Sequence, residues 1–484
     1  MDKVSKYIQT NNPIPIRING EYKKTDEVID VISPFTKNVV SQFYSASISD
    51  IDNAIDVAYS ALEKNEFKTF QRAQVLDKAA ELIIRYKEDF AKIIATESAK
   101  SIKTARIEVD RAVQTFLFSA SVARSASGEM IAIDSHPSGD NKLAFTFREP
   151  IGVIGAIAPF NFPLNLVAHK VAPAIAAGAP VVLKPAHNTP LTSAFLVDLL
   201  IDEAGLDPAY LSFIPCPGEV AARLSENEKV AMISFTGSPG VGWSIKQKAY
   251  KKKVALELGN NAPVIVEPDS DIEKVTSLVA ASGYSFQGQS CISVQRVYVH
   301  ESIFDRFVDQ LKTKVESLIV GDPLDDATDV SALISPKDNE RVIAWIKAAT
   351  ENGAKLITGG TQSSQGVLAP TILTDATEEM DVCRKEVFGP LVSVMKYSEL
   401  NDALLKANTS DYGLQAAIFT SNISRALHAA KVLNFGGVLI NETPTYRADN
   451  MPYGGIKDSG NTKEGPAYTY HEMTKEKLVV IATD

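Results

Sequence analysis

The chain alternates short runs of apolar, β-branched residues with segments whose apolar residues recur at helical spacing. The helical spacing dominates residues 50–130 and predicts several helices there. Apolar runs predict buried strands at residues 151–158, 180–183, 211–214 and 232–235, with helices between them at 164–177 and 192–203. Strands and helices that alternate in this way are typical of a parallel sheet covered by helices on both faces.

The same alternation returns after residue 260. It predicts strands at residues 262–266, 296–300 and 438–440 and helices at 303–320 and 423–433. We therefore expect an α/β protein with two parallel-sheet domains. Alternating residues around a polar turn predict a hairpin at 127–148, and an apolar strand at 478–481 lies close to the end of the chain. We expect both segments to pair with another subunit.

Composition narrows the class of protein. The 484 residues exceed what one hydrophobic core can hold, which agrees with two domains. The net charge of −10 and the absence of a basic stripe argue against nucleic-acid binding. The chain has no uncharged apolar stretch of about eighteen residues and no signal-peptide pattern, so we expect no membrane association and a cytoplasmic location.

The three cysteines, Cys216, Cys291 and Cys383, are far apart and form no CxxC pair. Zinc and iron–sulfur sites therefore have no support, and we expect no metal. An odd, sparse count also argues against a disulfide framework and for a reducing compartment.

Cys291 follows a Gly/Gln/Ser turn and precedes a strand. An isolated cysteine is usually a small buried apolar residue. Glu257, between two leucines and before a glycine, is a candidate general base because burial raises a carboxyl pKa toward neutrality. Asn161, between two prolines after a strand, is a candidate amide donor to an oxyanion. The glycine-rich turn at Gly237 and Ser238 joins a strand to a helix, where phosphates bind.

Together these features resemble the aldehyde dehydrogenase superfamily, from about residue 17 to the C-terminus. The separation of 34 residues between Glu257 and Cys291 agrees with the family. Asn260 replaces the family's usual second glycine, and we expect asparagine to tolerate the left-handed backbone of that turn. Six motifs in the family's order carry the resemblance: Pro159–Pro163, Lys184–Ala186, Leu256–Gly259, Gly288–Cys291, Glu386–Pro390 and Met451–Gly460.

The resemblance implies an aldehyde dehydrogenase-like fold with a Rossmann-like cofactor domain, a catalytic domain and a small β oligomerisation hairpin. The cofactor domain would comprise residues 1–126 and 149–257, and the catalytic domain residues 258–471. Residues 127–148 and 472–484 would be oligomerisation segments of a homodimer or homotetramer. Neither Cys216 nor Cys383 matches a catalytic position of the family.

The resemblance also implies the chemistry. Cys291 would attack the aldehyde, and Asn161 and the Cys291 backbone N–H would hold the oxyanion. Hydride would pass to the nicotinamide ring and leave a thioester, which water activated by Glu257 would hydrolyse. Lys170 would relay protons.

The residues that the family implies for NAD or NADP surround the motifs. Lys184 would bind the adenosine ribose and Glu386 the nicotinamide ribose. His187 stands where NAD-preferring members usually carry a glutamate, so we expect NADP or both cofactors, unless His187 is merely an exposed residue at a helix start. The complete set is Ile157, Pro159, Lys184, His187, Gly218, Gly237, Ser238, Glu386 and Phe388.

Arg111, Arg447 and Asn165 are the candidate substrate residues. Both arginines match a subgroup that oxidises small polar or anionic aldehydes, such as lactaldehyde, glyceraldehyde, sulfolactaldehyde and phosphonoacetaldehyde. Guanidinium groups suit a carboxylate, sulfonate or phosphonate, although either arginine could instead form a salt bridge. Ser290 stands where non-phosphorylating glyceraldehyde-3-phosphate dehydrogenases usually have an arginine, which weakens that substrate.

Several other functions stay open at this point. A CoA-acylating semialdehyde dehydrogenase would share the fold, but such enzymes generally lack the hydrolytic glutamate. Succinate-semialdehyde and non-phosphorylating glyceraldehyde-3-phosphate dehydrogenases are further alternatives. A structural member of the fold, such as a lens-type crystallin, would need neither Cys291, Glu257 nor Asn161.

Overall fold

A computed structural model describes residues 3–483 of the chain. Two seven-stranded sheets organise it, which confirms the predicted α/β fold class. In the first sheet the first five strands are parallel and the last two are antiparallel additions. Its strands, in spatial order, are Lys253–Glu257, Val230–Thr236, Val153–Ile157, Val181–Lys184, Leu211–Phe213, Ile16–Ile18 and Glu21–Lys23.

The helices of the N-terminal half confirm the helical spacing read over residues 50–130. The first long helix begins after Ser47, whose side chain and that of Asp50 form a capping box. The α-helices of this half, with the last one near the C-terminus, are Val4–Tyr7, Ile48–Lys64, Thr69–Arg85, Lys87–Ser98, Ile102–Ser125, Asn165–Ala177, Leu191–Asp198, Gly218–Glu226, Pro239–Lys248 and Pro466–Glu472. A π-helical turn, Leu199–Glu203, completes the predicted helix at 192–203.

The second sheet is parallel except for one antiparallel edge strand. Its strands are Lys355–Thr358, Thr371–Thr374, Leu391–Tyr397, Val294–His300, Ala262–Val266, Gln415–Phe419 and Gly437–Ile440. The surrounding α-helices are Ile272–Tyr284, Phe304–Glu316, Pro336–Glu351, Asp381–Arg384, Leu400–Asn408 and Ile423–Val432. The two sheets fall on either side of residue 258, while the domain boundaries stay predictions.

The predicted hairpin has one long strand, Lys142–Pro150, and one short strand, Met130–Ile131. The C-terminal strand Thr474–Ala482 pairs with the long strand along nine residues of the same chain. Its partner within the chain is therefore the long strand of the hairpin, and pairing of these segments with another subunit stays a prediction. Apolar side chains such as Met130 and Leu478 remain exposed on this three-stranded sheet. Two further pairs complete the strands: Val28–Ile32 with Val39–Tyr44, and Tyr412–Gly413 with Ile456–Lys457.

The candidate residues lie where strands of the first sheet end. Asn161 follows Val153–Ile157, the Gly237 turn follows Val230–Thr236, and Glu257 is the last residue of Lys253–Glu257. Ligands of open parallel sheets bind at the carboxyl ends of strands. Within residues 3–483, every helix is too short or too polar to cross a bilayer.

Candidate active site

The loop before Cys291 has an unusual backbone. Phe286, Gln287 and Gly288 have successive φ values of 48°, 56° and 72°. These values lie in the left-handed region of the backbone, which residues other than glycine seldom adopt. A Cβ at Gly288 would collide with the carbonyl oxygen of Gly389, so that position requires glycine. Such strain persists only where the surrounding structure imposes it.

Two buried glutamine side chains fix this loop to its surroundings. Gln287 Nε2 donates to the carbonyl oxygens of Ala99, at 2.9 Å, and Ala332, at 2.8 Å. Gln289 Oε1 accepts from the backbone N–H of Ile334 at 2.9 Å. The position of the Cys291 thiol is therefore determined by both halves of the molecule.

Cys291 as a whole residue is half-buried, and its Sγ lies 2.8 Å from the Tyr453 hydroxyl. Burial of the sulfur raises the Cys291 pKa to about 12; the bond to Tyr453 lowers it, and the carboxyl of Glu386 raises it further. Arg447 lowers this pKa and Glu257 raises it. The thiol is therefore protonated near neutral pH in this arrangement.

Asn161 is held against the Cys291 loop from both of its ends. Its Nδ2 donates to the carbonyl oxygen of Gln289 at 3.1 Å, and its own carbonyl accepts from Lys100 Nζ at 2.7 Å. Lys100 is fully buried and its ammonium lies 3.7 Å from the ring centre of Phe162 and 4.5 Å from that of Phe286. Sequence reasoning missed this lysine, since nothing in a helical pattern separates a buried lysine from a solvated one.

Glu257 is only 5% exposed, and neither carboxyl oxygen has a hydrogen-bond partner among the described residues. A Cβ at Gly454 would lie 2.9 Å from Glu257 Oε1, so only glycine leaves room for the carboxyl. Burial raises the pKa of Glu257 well above its usual value, and Glu464 raises it further, while Arg447 and Lys170 oppose the shift. A buried, unpaired carboxyl of this kind suits a general base.

Lys170 lies on the helix Asn165–Ala177 and is fully buried. Its Nζ donates to Thr236 Oγ1 at 2.7 Å and to Ser234 Oγ at 3.2 Å. Burial lowers the pKa of Lys170, and the carboxylates of Glu464 and Glu257 work in the opposite direction. The three groups border one small internal cavity.

A groove of about 380 Å³ runs along the carboxyl edge of the first sheet. It brings together Ile157, Lys184 and Gly218 from the predicted cofactor set. The turn at Gly237 and Ser238 leads directly into the adjoining helix Pro239–Lys248, with Ser238 at its N-cap. An apolar groove with a lysine and a helix N-terminus fits a dinucleotide.

Glu386 and Phe388 lie at the Cys291 side of this edge. Glu386 Oε1 accepts from the Asn260 N–H at 2.9 Å, and burial raises the Glu386 pKa to about 7. Phe388 also has a left-handed φ of 48°, and its ring meets the ring of Phe160 edge-on at 5.8 Å. The charge of Glu386 raises the Cys291 pKa, so its carboxyl lies near the thiol, and the roles of Glu386 and Phe388 toward the cofactor stay predictions.

Asn260 does not adopt the left-handed backbone that we expected. Its Nδ2 donates to the Gln415 carbonyl at 3.2 Å, and its Oδ1 accepts from Leu414 N–H at 3.3 Å. The asparagine therefore links the turn after Glu257 to the second sheet. His187 is exposed, and partial burial and Lys184 lower its pKa, so its imidazole is mostly neutral at pH 7. Pro159 lies between the end of a strand and Asn161.

Arg111 forms a two-point ion pair with Asp449, through Nη2 at 2.8 Å and Nε at 3.2 Å. Asp449 is buried and also accepts from Asn165 Nδ2 at 3.0 Å and contacts His169 Nε2 at 2.9 Å. Burial alone would raise the pKa of the Asp449 carboxyl. The hydrogen bond from His169 and the charge of Arg111 outweigh burial and hold that pKa well below its usual range.

Arg447 is almost fully buried, with its side chain 4% exposed. Its Nη2 donates to Glu464 Oε1 at 2.6 Å and lies 3.1 Å from His169 Nε2. Its guanidinium carbon is 3.8 Å from the ring centre of Tyr453, while its buried Nε has no partner among the described residues. Both arginines thus form the salt bridges that the sequence left open as an alternative, and their role toward substrate stays a prediction.

The site also contains groups that sequence reasoning missed. Asp449, His169 and Glu464 join the two arginines into one buried polar network, and Tyr453 connects that network to Cys291. Tyr453 belongs to the C-terminal motif Met451–Gly460, but only its contact with the thiol distinguishes it from the other residues of that motif. Cys216 and Cys383 are both buried, and Cys216 lies near enough to Lys184 to affect its pKa.

Comparison with known proteins agrees with this geometry. The model of the family described as "Aldehyde dehydrogenase family" matches residues 22–479. The 3-sulfolactaldehyde dehydrogenase of Priestia megaterium is 46% identical over 96% of this chain and 97% of that protein. The lactaldehyde dehydrogenase of Methanococcus vannielii is 40% identical over 94% of this chain and 97% of that protein.

Solved structures extend the likeness to the whole fold. A glyceraldehyde-3-phosphate dehydrogenase from Methanocaldococcus jannaschii, solved with NADP, has a TM-score of 0.91 and 38% identity, covering 95% of this chain and all of that one. An aldehyde dehydrogenase from Physcomitrella patens, solved with the product succinate, has a TM-score of 0.94 and 36% identity, covering 98% and 99%.

Proposed function

This chain belongs to the aldehyde dehydrogenase family and is an NAD(P)-dependent oxidoreductase, and we propose that its substrate is a small aldehyde that carries a polar or anionic group. The product is the corresponding carboxylic acid, formed through a thioester on Cys291. The position of Arg447 supports this substrate class. Its guanidinium lies over the Tyr453 ring, and the Tyr453 hydroxyl contacts the Cys291 sulfur, so a cation lies close to the reacting atom.

The acylation half-reaction uses Cys291 and Asn161. The sulfur adds to the aldehyde carbon, and the second amide hydrogen of Asn161 and the Cys291 backbone N–H donate to the oxyanion. Asn161 is suited to this role because its other amide hydrogen is already engaged with Gln289, which fixes the group before substrate arrives. Ile157 and Lys184 line the groove that would hold NAD(P)⁺, and the bound cofactor would accept the hydride.

The hydrolytic half-reaction uses Glu257. Its carboxyl has no hydrogen bond to give up, and its raised pKa brings it closer to neutrality, so it can take a proton from the attacking water. Lys170, near enough to Glu257 to affect its pKa and hydrogen-bonded to Ser234 and Thr236, would relay to solvent the proton that Glu257 takes from water. A buried base at this position argues for release of an acid and against transfer of the acyl group to CoA.

Arg447 gives the site its preference for polar substrates. Its buried Nε lacks a partner, and an unsatisfied buried donor is costly, so an oxygen of the substrate would stabilise it. Arg111 and Asn165 extend the same network outward through Asp449. The names of the relatives, with sulfonated, phosphorylated and hydroxylated aldehydes, support this class.

For the cofactor we propose NADP, or both NADP and NAD. Among the described residues that line the groove none is acidic, whereas Lys184 and Lys248 both border it. A carboxylate would repel a 2′-phosphate, and lysines attract it. The mostly neutral His187 neither repels nor strongly attracts the phosphate, so the lysines carry this preference.

The test is a comparison of 3-sulfolactaldehyde, lactaldehyde and propanal with each cofactor, with and without CoA. We expect kcat/KM to fall from the sulfonate to the alkyl aldehyde and CoA to have no effect. Arg447→Gln should lower kcat/KM for the sulfonate about 10- to 100-fold more than it lowers kcat/KM for propanal, because only the sulfonate loses a charge-assisted hydrogen bond. The control is Arg124→Gln, which removes an exposed arginine paired with Asp77. Equal rates on propanal and the sulfonate in the unmodified enzyme would refute the substrate class.

Three sequence-based expectations remain predictions: the cytoplasmic location, the homodimer or homotetramer, and the domain boundaries. The exposed apolar side chains of the three-stranded sheet, such as Met130 and Leu478, support association between copies.

A further inference from the structure

The closest polar neighbour of the Cys291 sulfur is the hydroxyl of Tyr453, at 2.8 Å. The tyrosine is 3% exposed, and its backbone is paired in an isolated antiparallel bridge with Glu464. Its ring packs with Ile292 and Leu414 in a small apolar cluster beside the thiol. The ring is therefore held in place, and the hydroxyl is directed at the sulfur.

From this geometry we propose that Tyr453 is a catalytic residue, whose hydroxyl donates a hydrogen bond to the Cys291 thiolate and favours its formation. The proposal rests on the proposed role of Cys291 as the nucleophile. When the thiol ionises, its proton leaves to water, and the tyrosine keeps its own proton throughout. A thiolate has no hydrogen to donate, so only the phenol can be the donor in that state.

The charges around the sulfur explain why a donor is needed. Burial and the carboxylates of Glu386 and Glu257 all disfavour the thiolate. Of the groups that act most strongly on the thiol, Tyr453 and Arg447 favour the thiolate. The thiolate is the reactive form of a cysteine, so the site must offset these unfavourable contributions before the sulfur can attack.

Arg447 acts on the sulfur through Tyr453 as well as directly. Its guanidinium lies over the phenol ring at 3.8 Å, within the range of a cation–π interaction. A cation at that position draws electron density from the ring, which makes the hydroxyl a better donor. Glu464 Oε1 accepts a hydrogen bond from Arg447 Nη2 at 2.6 Å and balances the charge of the guanidinium.

The decisive experiment is Tyr453→Phe, which keeps the ring and removes the hydroxyl. The rate of alkylation of Cys291 by iodoacetamide is measured against pH in the full-length enzyme, with peptide mapping to assign the modified cysteine. We expect the midpoint of the profile to move up by at least one pH unit, which lowers the rate at pH 7 about tenfold or more. Because the pKa of the Cys291 thiol lies at about 12, the rates are compared between about pH 6 and pH 9 on the rising part of the profile, where a shift of one pH unit in the midpoint appears as about a tenfold change in rate.

Two further variants separate a chemical role from a structural one. Tyr397→Phe removes another buried phenol, 4% exposed, that bonds to the Val266 carbonyl at 3.2 Å, and it should leave the profile unchanged. Replacement of Tyr453 by 3-fluorotyrosine makes the phenol a stronger donor and should move the midpoint down. This second replacement keeps the test available even if Tyr453→Phe fails to fold.

The outcomes distinguish the two proposals. If alkylation of Cys291 leaves aldehyde oxidation intact, Cys291 is not the nucleophile and the proposed function is wrong. If alkylation abolishes oxidation but neither replacement at Tyr453 moves the midpoint in its expected direction, only the role of Tyr453 is refuted.

Discussion

Replacement of Glu257 by glutamine separates the two half-reactions that we assign to this site. The amide has the shape of the carboxyl but cannot take a proton from water. Loss of a general base typically slows the catalysed step about 10²- to 10⁴-fold. Because acylation uses Cys291 and Asn161, only hydrolysis of the thioester should slow. We expect a rapid burst of one reduced cofactor per active site followed by a slow steady state, measured by stopped-flow absorbance.

The same change should stabilise the folded protein at neutral and higher pH. Glutamine leaves the same two buried positions unpaired but carries no charge, and the raised pKa of Glu257 shows that burial disfavours its charged form, at a cost of about 1–3 kcal/mol. Average unfolding entropies, applied to 484 residues that unfold together, amount to about 1 kcal/mol per kelvin. Glu257→Gln should therefore raise the melting temperature by about 1–3 °C at pH 8, measured by calorimetry.

The pH dependence has a definite sign. The folded-state pKa of Glu257 is raised, so the stability that the protonated carboxyl contributes is present at low pH and is lost as pH rises through that pKa. The gain from Glu257→Gln should accordingly shrink as pH falls toward the ordinary glutamate value. For the same reason kcat of the unmodified enzyme should fall as pH drops through the raised pKa, because hydrolysis needs the carboxylate.

Glu267→Gln is a matched control, because Glu267 is equally buried but paired with Tyr397 and Arg425. It should lower the melting temperature and leave the steady state unchanged. The assignment of Glu257 is refuted if its glutamine variant shows no burst and turns over at the unmodified rate. A lower melting temperature for Glu257→Gln at pH 8 would contradict the stability argument alone.

Two further predictions follow from buried and exposed charge. Lys100→Met leaves Glu108 without its buried partner, which typically costs about 3–5 kcal/mol, so calorimetry should show a melting temperature lower by about 3–5 °C. The double variant Lys100→Met with Glu108→Gln should recover part of the loss. An unchanged melting temperature in the single variant would contradict this prediction. His187→Glu places a carboxylate beside the groove, where it would repel the 2′-phosphate of NADP. The value of kcat/KM for NADP, divided by the value for NAD, should fall about 10- to 100-fold. An unchanged ratio would show that His187 does not contact the cofactor.

Much of the fold follows from local pattern. The buried strand Ala262–Val266 is bounded and apolar throughout, so its type and limits can be read from the sequence. The C-terminal strand is harder to predict fully. The apolar residues near the end of the chain predict that a strand exists there, but not which strand it pairs with. Its pairing with Lys142–Pro150 joins segments more than three hundred residues apart, and no local signal specifies such a contact.

The site was predictable to the extent that motifs name residues. Glu257 and Asn161 could be selected because each stands alone as a polar residue at the end of an apolar strand. Lys100 could not, because its burial depends on Glu108, Phe162 and the Cys291 loop, which come together only in the folded chain. A sequence pattern identifies residues whose role follows from their own place along the chain. It misses residues such as Lys100, whose role is to position other residues.

The arginines show the consequence for specificity. The sequence left Arg111 open as a cation for an anionic substrate or as part of a salt bridge, and in the structure Asp449, 338 positions away, binds it at two points. Arg447 is neutralised in the same way by Glu464. A network with two cations and two carboxylates has little net attraction for an anion at long range. Selectivity must then come from directed hydrogen bonds, such as the unpaired Nε of Arg447, so the enzyme should accept hydroxylated aldehydes as well as charged ones.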